Sequence, residues 1–399
     1  MSEEEKTEEI WRDNRYSGRI RITVNESILA WAVKRSGRGS ELEQNFPKLS
    51  KWLRGEIQPT FRELQKFSKA TYTPFGYFFL QKPPVEQLSI PHFRTFGNQT
   101  KNQEPSPDLI ETVQMMERRQ NWMRDYLIAQ GHEPLDYVHS AQLTESTENV
   151  ANKIRNALEL SVNWAAEQPN WGKALETLRL KMENAGIIVV VNSIVGNNTR
   201  RKLDTNEFRG FVLVDEYAPL VFVNGADGKA AQMFTLAHEF AHIIYGKSAI
   251  FDLIALQPAD DKIEKKCNGV AAEFLVPRDQ LKAFWPSIAE CEDPFQEIAQ
   301  KFKVSEIVAA YRTLNLGIIQ KKEFYEFYKK YLSVEHRKSE KGQGGGNFYT
   351  IQNLRLGQRF AIAVICAARE GSLLYRDAYN LTGLHGDTFE LYAKTIGIP

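Results

Sequence analysis

Cysteine is scarce in this chain of 399 residues: Cys267, Cys291 and Cys366 are the only three. Their odd number and wide spacing exclude a disulfide framework and a Cys-x-x-Cys metal site, so reduced thiols are expected. No apolar run approaches the roughly 18 residues that a membrane-crossing helix needs. The run FAIAVICAA, Phe360 to Ala368, is therefore read as a buried helix or a partner-binding face. A dominant charge of one sign is also missing. Lys and Arg number 51 against 50 Asp and Glu, which excludes a surface that is basic overall while leaving room for a local patch. There is no internal repeat, and no basic-then-apolar leader. The N-terminal MSEEEKTEEIWRDNRYSGR is acidic and polar, so a cytoplasmic location is expected. What is present is ample apolar content, 42%, in a chain long enough for two to four domains.

The apolar positions Ile28, Leu29, Ala32 and Val33, then Leu49, Trp52 and Leu53, then Phe61, Leu64 and Phe67 recur at helical spacing. Turn signals at Gly37, Gly39, Pro47, Gly55 and Pro59 cut this stretch into short helices. Residues 81–107 carry several prolines and little periodicity, and read as an extended linker. Residues 108–186 read as mostly helical. Ile187 to Val191, Phe208 to Leu213 and Leu220 to Val223 read as three strands. A helix is predicted from Lys229 to about Tyr245, a second from Lys262 to Leu275 before Pro277, and further helices over 278–332. The glycine-rich, charged segment 336–347 reads as a flexible joint, followed by two or three C-terminal helices.

Within the first of these long helices the sequence reads His238-Glu239-Phe240-Ala241-His242. Residues four apart share a helix face, so the two imidazoles can meet one ion, with Glu239 beside it as a general base. A third ligand must come from elsewhere, leaving a position open for water. Glu264 is the choice, because it opens a helix able to pack antiparallel across the two histidines. Asp252, Asp260, Asp261 and Glu273 compete for that role. The bland alternative is a pair of histidines satisfied by hydrogen bonds in a core. Tyr245 could donate to an oxyanion or simply pack at the helix end, and Cys267 reads as a small buried thiol.

The run FVLVDEYAPLVFVNGADGKAAQMFTLAHEFAHIIYG followed by IEKKCNGVAAEFLVP resembles the ImmA/IrrE family of metallopeptidases over roughly residues 185–332. The resemblance implies a zincin-like domain with one Zn2+ per chain, held by His238, His242 and Glu264. It also implies Glu239 as the catalytic base, with Asn268 four residues beyond the third ligand. Family members commonly cleave or otherwise inactivate a helix-turn-helix repressor.

Between Arg19 and Arg54 eight Lys or Arg face three Glu, an excess of +5 that suits phosphate contact. The segment PKLSKWLRG and its Trp52, Gly55 and Pro59 resemble an XRE-type helix-turn-helix. That resemblance implies Lys48, Ser50, Lys51 and Arg54 at operator DNA, with Lys34, Arg35 and Arg38 nearer the backbone. The stretch GRGSELEQNFPK departs from the pattern by lacking the usual alanine-rich second helix. A docking or dimerisation unit is therefore a competing reading.

The expected class is α+β and mostly α. The expected divisions are an XRE-like helix-turn-helix bundle over 1–80, a linker over 81–107 and a helical connecting region over 108–184. A metallopeptidase domain with a small sheet follows over 185–332, then a joint over 333–347 and a helical module over 348–399. Such a fusion resembles the regulator or antitoxin half of toxin–antitoxin operons. It implies a zinc-dependent endopeptidase that binds operator DNA, with a repressor-like protein or cognate toxin as target and a homodimer to match operator symmetry. Two alternatives stand beside it. One is a non-catalytic antitoxin whose zinc is structural, and the other a repressor cleaved in cis near the linker.

Overall fold

The computed structural model describes residues 20–86, 88–90, 92–94, 105–252, 262–338 and 348–398. Contacts divide the chain into two units. In the first, α1 (Glu26–Ser36) starts at Asn25, whose side chain accepts from Ser27 N–H, and ends at Gly37 in the left-handed conformation. It is followed by α2 (Gly39–Asn45), α3 (Leu49–Leu53) and α4 (Phe61–Ala70), the last opened by a reciprocal Thr60–Glu63 capping box. Apolar positions at helical spacing, including Ile28, Leu29, Leu49, Trp52, Leu64 and Phe67, close on one core. A second helix thus does form before α3, although it has only seven residues.

The second unit begins with β1 (His92–Arg94), inside the segment expected to be a linker. Then come α5 (Pro107–Ala129), which belongs to this unit from Thr112 onward, α6 (Thr147–Leu158), α7 (Trp171–Asn184) and β2 (Ile188–Asn192). A hairpin of β3 (Ile194–Val195) and β4 (Asn198–Lys202) precedes β5 (Gly210–Leu213) and β6 (Leu220–Asn224). The helix α8 (Lys229–Tyr245), strand β7 (Ala249–Asp252) and helix α9 (Lys262–Leu275) follow. The chain continues through α10 (Arg278–Ile288), α11 (Pro294–Phe302), α12 (Glu306–Asn315) and α13 (Lys321–Lys338). It ends with four helices where two or three were expected: α14 (Phe348–Leu356), α15 (Gln358–Arg369), α16 (Tyr375–Thr382) and α17 (Asp387–Thr395). Gly357, Gly371 and Gly383, each at positive φ, punctuate them. Of the expected joint, residues 333–338 belong to α13, and 339–347 lie outside the described residues. No helix among the described residues is long and apolar enough to cross a membrane.

The protein is thus mostly helical with a small mixed sheet, in the order β1-β7-β5-β6-β2. β5 runs antiparallel to both β6 and β7, whereas β2 pairs parallel with β6 and β1 parallel with β7. β5 and β6 are buried along their whole length, which is why they read as unbroken apolar runs. Val150, Ile154 and Leu158 of α6 and Leu178 and Met182 of α7 share one core with α8 and α9. The segment read as a connecting region therefore supplies part of the wall around those two helices.

The C-terminal helices are tied to the same unit. Ile188 donates its N–H to Pro219 O on the β6 side, so the neighbouring Val189 carbonyl points out from the free edge of β2. Gly357 sits there, and a Cβ on it would lie 3.0 Å from that carbonyl oxygen. Gln358 N–H donates to Glu183, and buried Arg119 of α5 donates to the carbonyls of Arg355 and Leu381. Gly357→Ala combines a positive φ with this close approach, and should lower the unfolding free energy by about 1–3 kcal/mol. Gly371→Ala, also at positive φ but with open space around it, should cost less. Urea denaturation of both variants checks the ranking.

Candidate metal centre

Helix α8 is buried on every side from Gln232 to Tyr245, the mark of a helix at the middle of a domain rather than at its surface. It starts after Gly228 and stops at Gly246, in the left-handed conformation. α9 packs beside it. His238 meets Asn268 while His242, one turn on, meets Glu264, one turn back, so the two helices run antiparallel.

The atoms His238 Nε2, His242 Nε2 and a Glu264 carboxylate oxygen converge within 4.8 Å of one another. The two Nε2 atoms are 3.1 Å apart. His238 Nε2 is 3.2 Å from Glu264 Oε2, and His242 Nε2 is 3.1 Å from Oε1. Ligands about 2.0–2.1 Å from a tetrahedral zinc would stand about 3.4 Å apart, so these spacings outline one small tetrahedral face. Glu264 Oε1 has no hydrogen bond among the described residues despite its closeness to His242. Glu239 has neither oxygen partnered among the described residues and is fully buried. Buried polar atoms left unpaired are costly, and a cation together with its water would satisfy this group. The donor set of two imidazoles and a carboxylate, with a position left open, fits zinc. Among the described residues no other group of three His, Cys, Asp or Glu converges in this way.

The electrostatics agree with that assembly. Burial pushes the His238 imidazole toward its neutral, ligating form, against the opposing pull of Glu264. Burial pushes the Glu264 carboxyl up, but its two histidine neighbours together hold it well below the usual carboxylate range. Burial, reinforced by the Glu264 charge, raises Glu239 well above that range.

His238 Nδ1–H donates to Asn268 Oδ1 at 2.9 Å, which fixes the tautomer that leaves Nε2 bare. The sequence pattern named Asn268 without giving it this role. Gly210 had no signal at all. A Cβ there would lie 2.5 Å from Thr235 Cγ2, 2.8 Å from Phe222 O and 3.4 Å from Glu239 Oε1. Glycine at the start of β5 is what lets α8 approach the sheet at Glu239.

At its other end α9 is clamped. Arg155 of α6 donates to the carbonyls of Glu273 and Phe274, and Arg312 of α12 donates to Val276 O while pairing with Glu273. Glu273 also accepts from Arg278 N–H, so it is engaged away from the ligand set. The side chain of Asp252 and all of Asp260 and Asp261 lie outside the described residues. Tyr245 is buried with its hydroxyl unpartnered among the described residues, and its electrostatic neighbours are Cys267 and Glu145. Cys267 is fully buried in the core.

In the first unit Lys48, Ser50, Lys51 and Arg54 lie together on α3 and its two flanking residues, all exposed. Lys48 pairs with Glu63 at 3.0 Å and Arg54 with Glu56 at 2.6 Å. Arg38 pairs with Glu41, and Arg35 with Glu86 at 2.5 Å. Lys34 is exposed. Much of the +5 excess is therefore matched locally by carboxylates, a pairing invisible in a count.

Residues 182–314 match a peptidase family described as the IrrE N-terminal-like domain. Residues 356–395 match a family described as a domain of unknown function. No curated protein matches the chain. The first match spans β2 to α12, so it takes in β2 to β7, α8 and α9, whereas β1, α5, α6 and the C-terminal helices lie outside it.

Because Asn268 acts on metal binding only through His238, Asn268→Leu should weaken zinc affinity about 10–100-fold, and Asn268→Asp should restore most of it. Competition titration with a chromogenic chelator measures both.

Proposed function

We propose that this protein is a zinc-dependent endopeptidase. Its centre comprises His238, His242 and Glu264 as ligands and Glu239 as general base. The observation that carries this reading is the convergence of the three ligand atoms beside a buried Glu239 that is unpartnered among the described residues. The match of residues 182–314 to a peptidase family supports it. Bound zinc supplies Lewis-acid polarisation of the scissile carbonyl and acidifies the attacking water. Glu239 accepts the proton from that water and returns it to the departing amine. Asn268 keeps the His238 ring in register, and the antiparallel helix pair keeps Glu264 across from both histidines.

The first unit is proposed to bind operator DNA through α3, which makes the whole chain a regulator or antitoxin whose target is a repressor-like protein or a cognate toxin. The support is the exposed cluster of Lys48, Ser50, Lys51 and Arg54. Exposed ion pairs contribute only about 0–1 kcal/mol, so a phosphate can displace Glu63 and Glu56 from Lys48 and Arg54. A second reading, a non-catalytic antitoxin with structural zinc, is favoured by the depth at which the ligands lie, His238 and His242 being 0% exposed.

Glu264→Ala should lose zinc by metal analysis. Glu239→Gln should keep zinc and the fold while losing at least 100-fold in peptide hydrolysis. Equal hydrolysis by Glu239→Gln and the parent would leave only the structural role for zinc. For the first unit, retardation of the protein's own promoter DNA should fall steeply with salt, and Lys51→Glu should weaken it further.

A further inference from the structure

The second unit holds a cavity of about 530 Å³ that none of the proposed metal ligands, nor Glu239, lines. Its volume suits a small ligand or a side chain. The walls come from four helices: Trp171 at the start of α7, Phe295 at the start of α11, Glu306 at the start of α12, and Phe327 and Tyr331 on α13.

Aromatic rings form one part of the lining. Trp171 is pinned by its indole N–H, which donates to Val304 O at 3.0 Å, and Phe295 packs edge-on against Phe327 with ring centroids 4.7 Å apart. Phe327 in turn lies 5.8 Å from Tyr331. All four rings stay half-exposed, although Phe324 on the same helix as two of them is buried in the core. Large rings held in place yet open to solvent mark a binding surface.

The charge of the lining is mainly acidic. Glu292, Asp293 and Glu306 stand against one cation, Lys330. Asp293 is held by capping α11, where it accepts from Gln296 N–H at 3.0 Å, and Glu292 is exposed. Lys303, which does not line the cavity, places its ammonium 5.8 Å from the Trp171 ring, so that indole already attracts a cation. Rings and carboxylates brought together from separate helices complement a flat, weakly hydrated cation. A guanidinium stacks on aromatic faces while its N–H fork meets carboxylate oxygens, whereas an ammonium is more strongly hydrated and has no such plane. An anion would meet three like charges out of four.

We infer that this cavity binds a guanidinium carried on an alkyl stem, as in the side chain of arginine. The stem packs on the rings and the head group meets the carboxylates. The inference does not rest on the reading of the metal centre.

Isothermal titration calorimetry on the full chain tests it, with butylguanidinium and the peptide acetyl-Gly-Arg-Gly-amide as probes. At least one should bind with a Kd on the order of 1 mM or tighter. The neutral counterparts, butylurea and the same peptide with citrulline for arginine, should bind at least fivefold more weakly. Tighter binding of the arginine peptide assigns the site to an arginine of a partner protein, and equal or tighter binding of butylguanidinium assigns it to a free guanidino compound. Glu292→Lys and Phe327→Leu should each weaken binding at least fivefold while the far-UV circular dichroism stays that of the parent. No binding of either probe overturns the inference, as does equal binding of the neutral counterparts or unchanged binding in either variant. Should Phe327→Leu fail to fold, Glu292→Lys, a change at an exposed position, decides alone.

Discussion

The second unit depends on one contact above all, the antiparallel apposition of α8 and α9 that closes His238, His242, Glu264 and Asn268 on one another inside an apolar core. Each of these groups is costly to bury alone. Together they satisfy one another in part, and the part left over is the set of unpartnered oxygens at Glu239 and Glu264. The surroundings are arranged to hold that apposition. Gly210 lets α8 settle against the sheet, α6 and α7 wall the pair, and two buried guanidiniums grip the carbonyls at the far end of α9. Rigidity at one end of α9 is what positions Glu264 at the other.

The two helices that form this contact were legible in the sequence in their approximate extent, because strong punctuation marks three of their ends: Gly228 and Gly246 around one, Pro277 after the other. The triad followed from helical spacing and the family pattern. Strands β5 and β6 were legible as apolar runs. What escaped was whatever depends on partners distant in sequence. β1 and β7 are too short for a periodicity to show, and become strands only through their pairing with each other and with β5. The hairpin β3–β4 lies in a polar stretch, NTRRK, with no alternation to betray it. Gly210 needs the position of Thr235 to explain it, and the role of Asn268 needs the ring of His238.

The first unit teaches the complementary lesson. Its helices were readable from apolar spacing, yet its charge was not, since a sum over residues 19–54 omits Glu56, Glu63 and Glu86, which lie outside that window and close on Lys48, Arg54 and Arg35. Surface chemistry is decided by which side chains meet, and those meetings span up to 51 positions along the chain.

Gly357 against the edge of β2 also bears on when the protein becomes whole. The strand is made early, but the residues that cover its outward carbonyls come from the ribosome well over a hundred positions later. At about 5–20 residues per second the nascent chain carries an uncovered strand edge for roughly ten seconds or more. The centre between α8 and α9 is translated within that interval, so its ligands are synthesised well before the fold that surrounds them is closed.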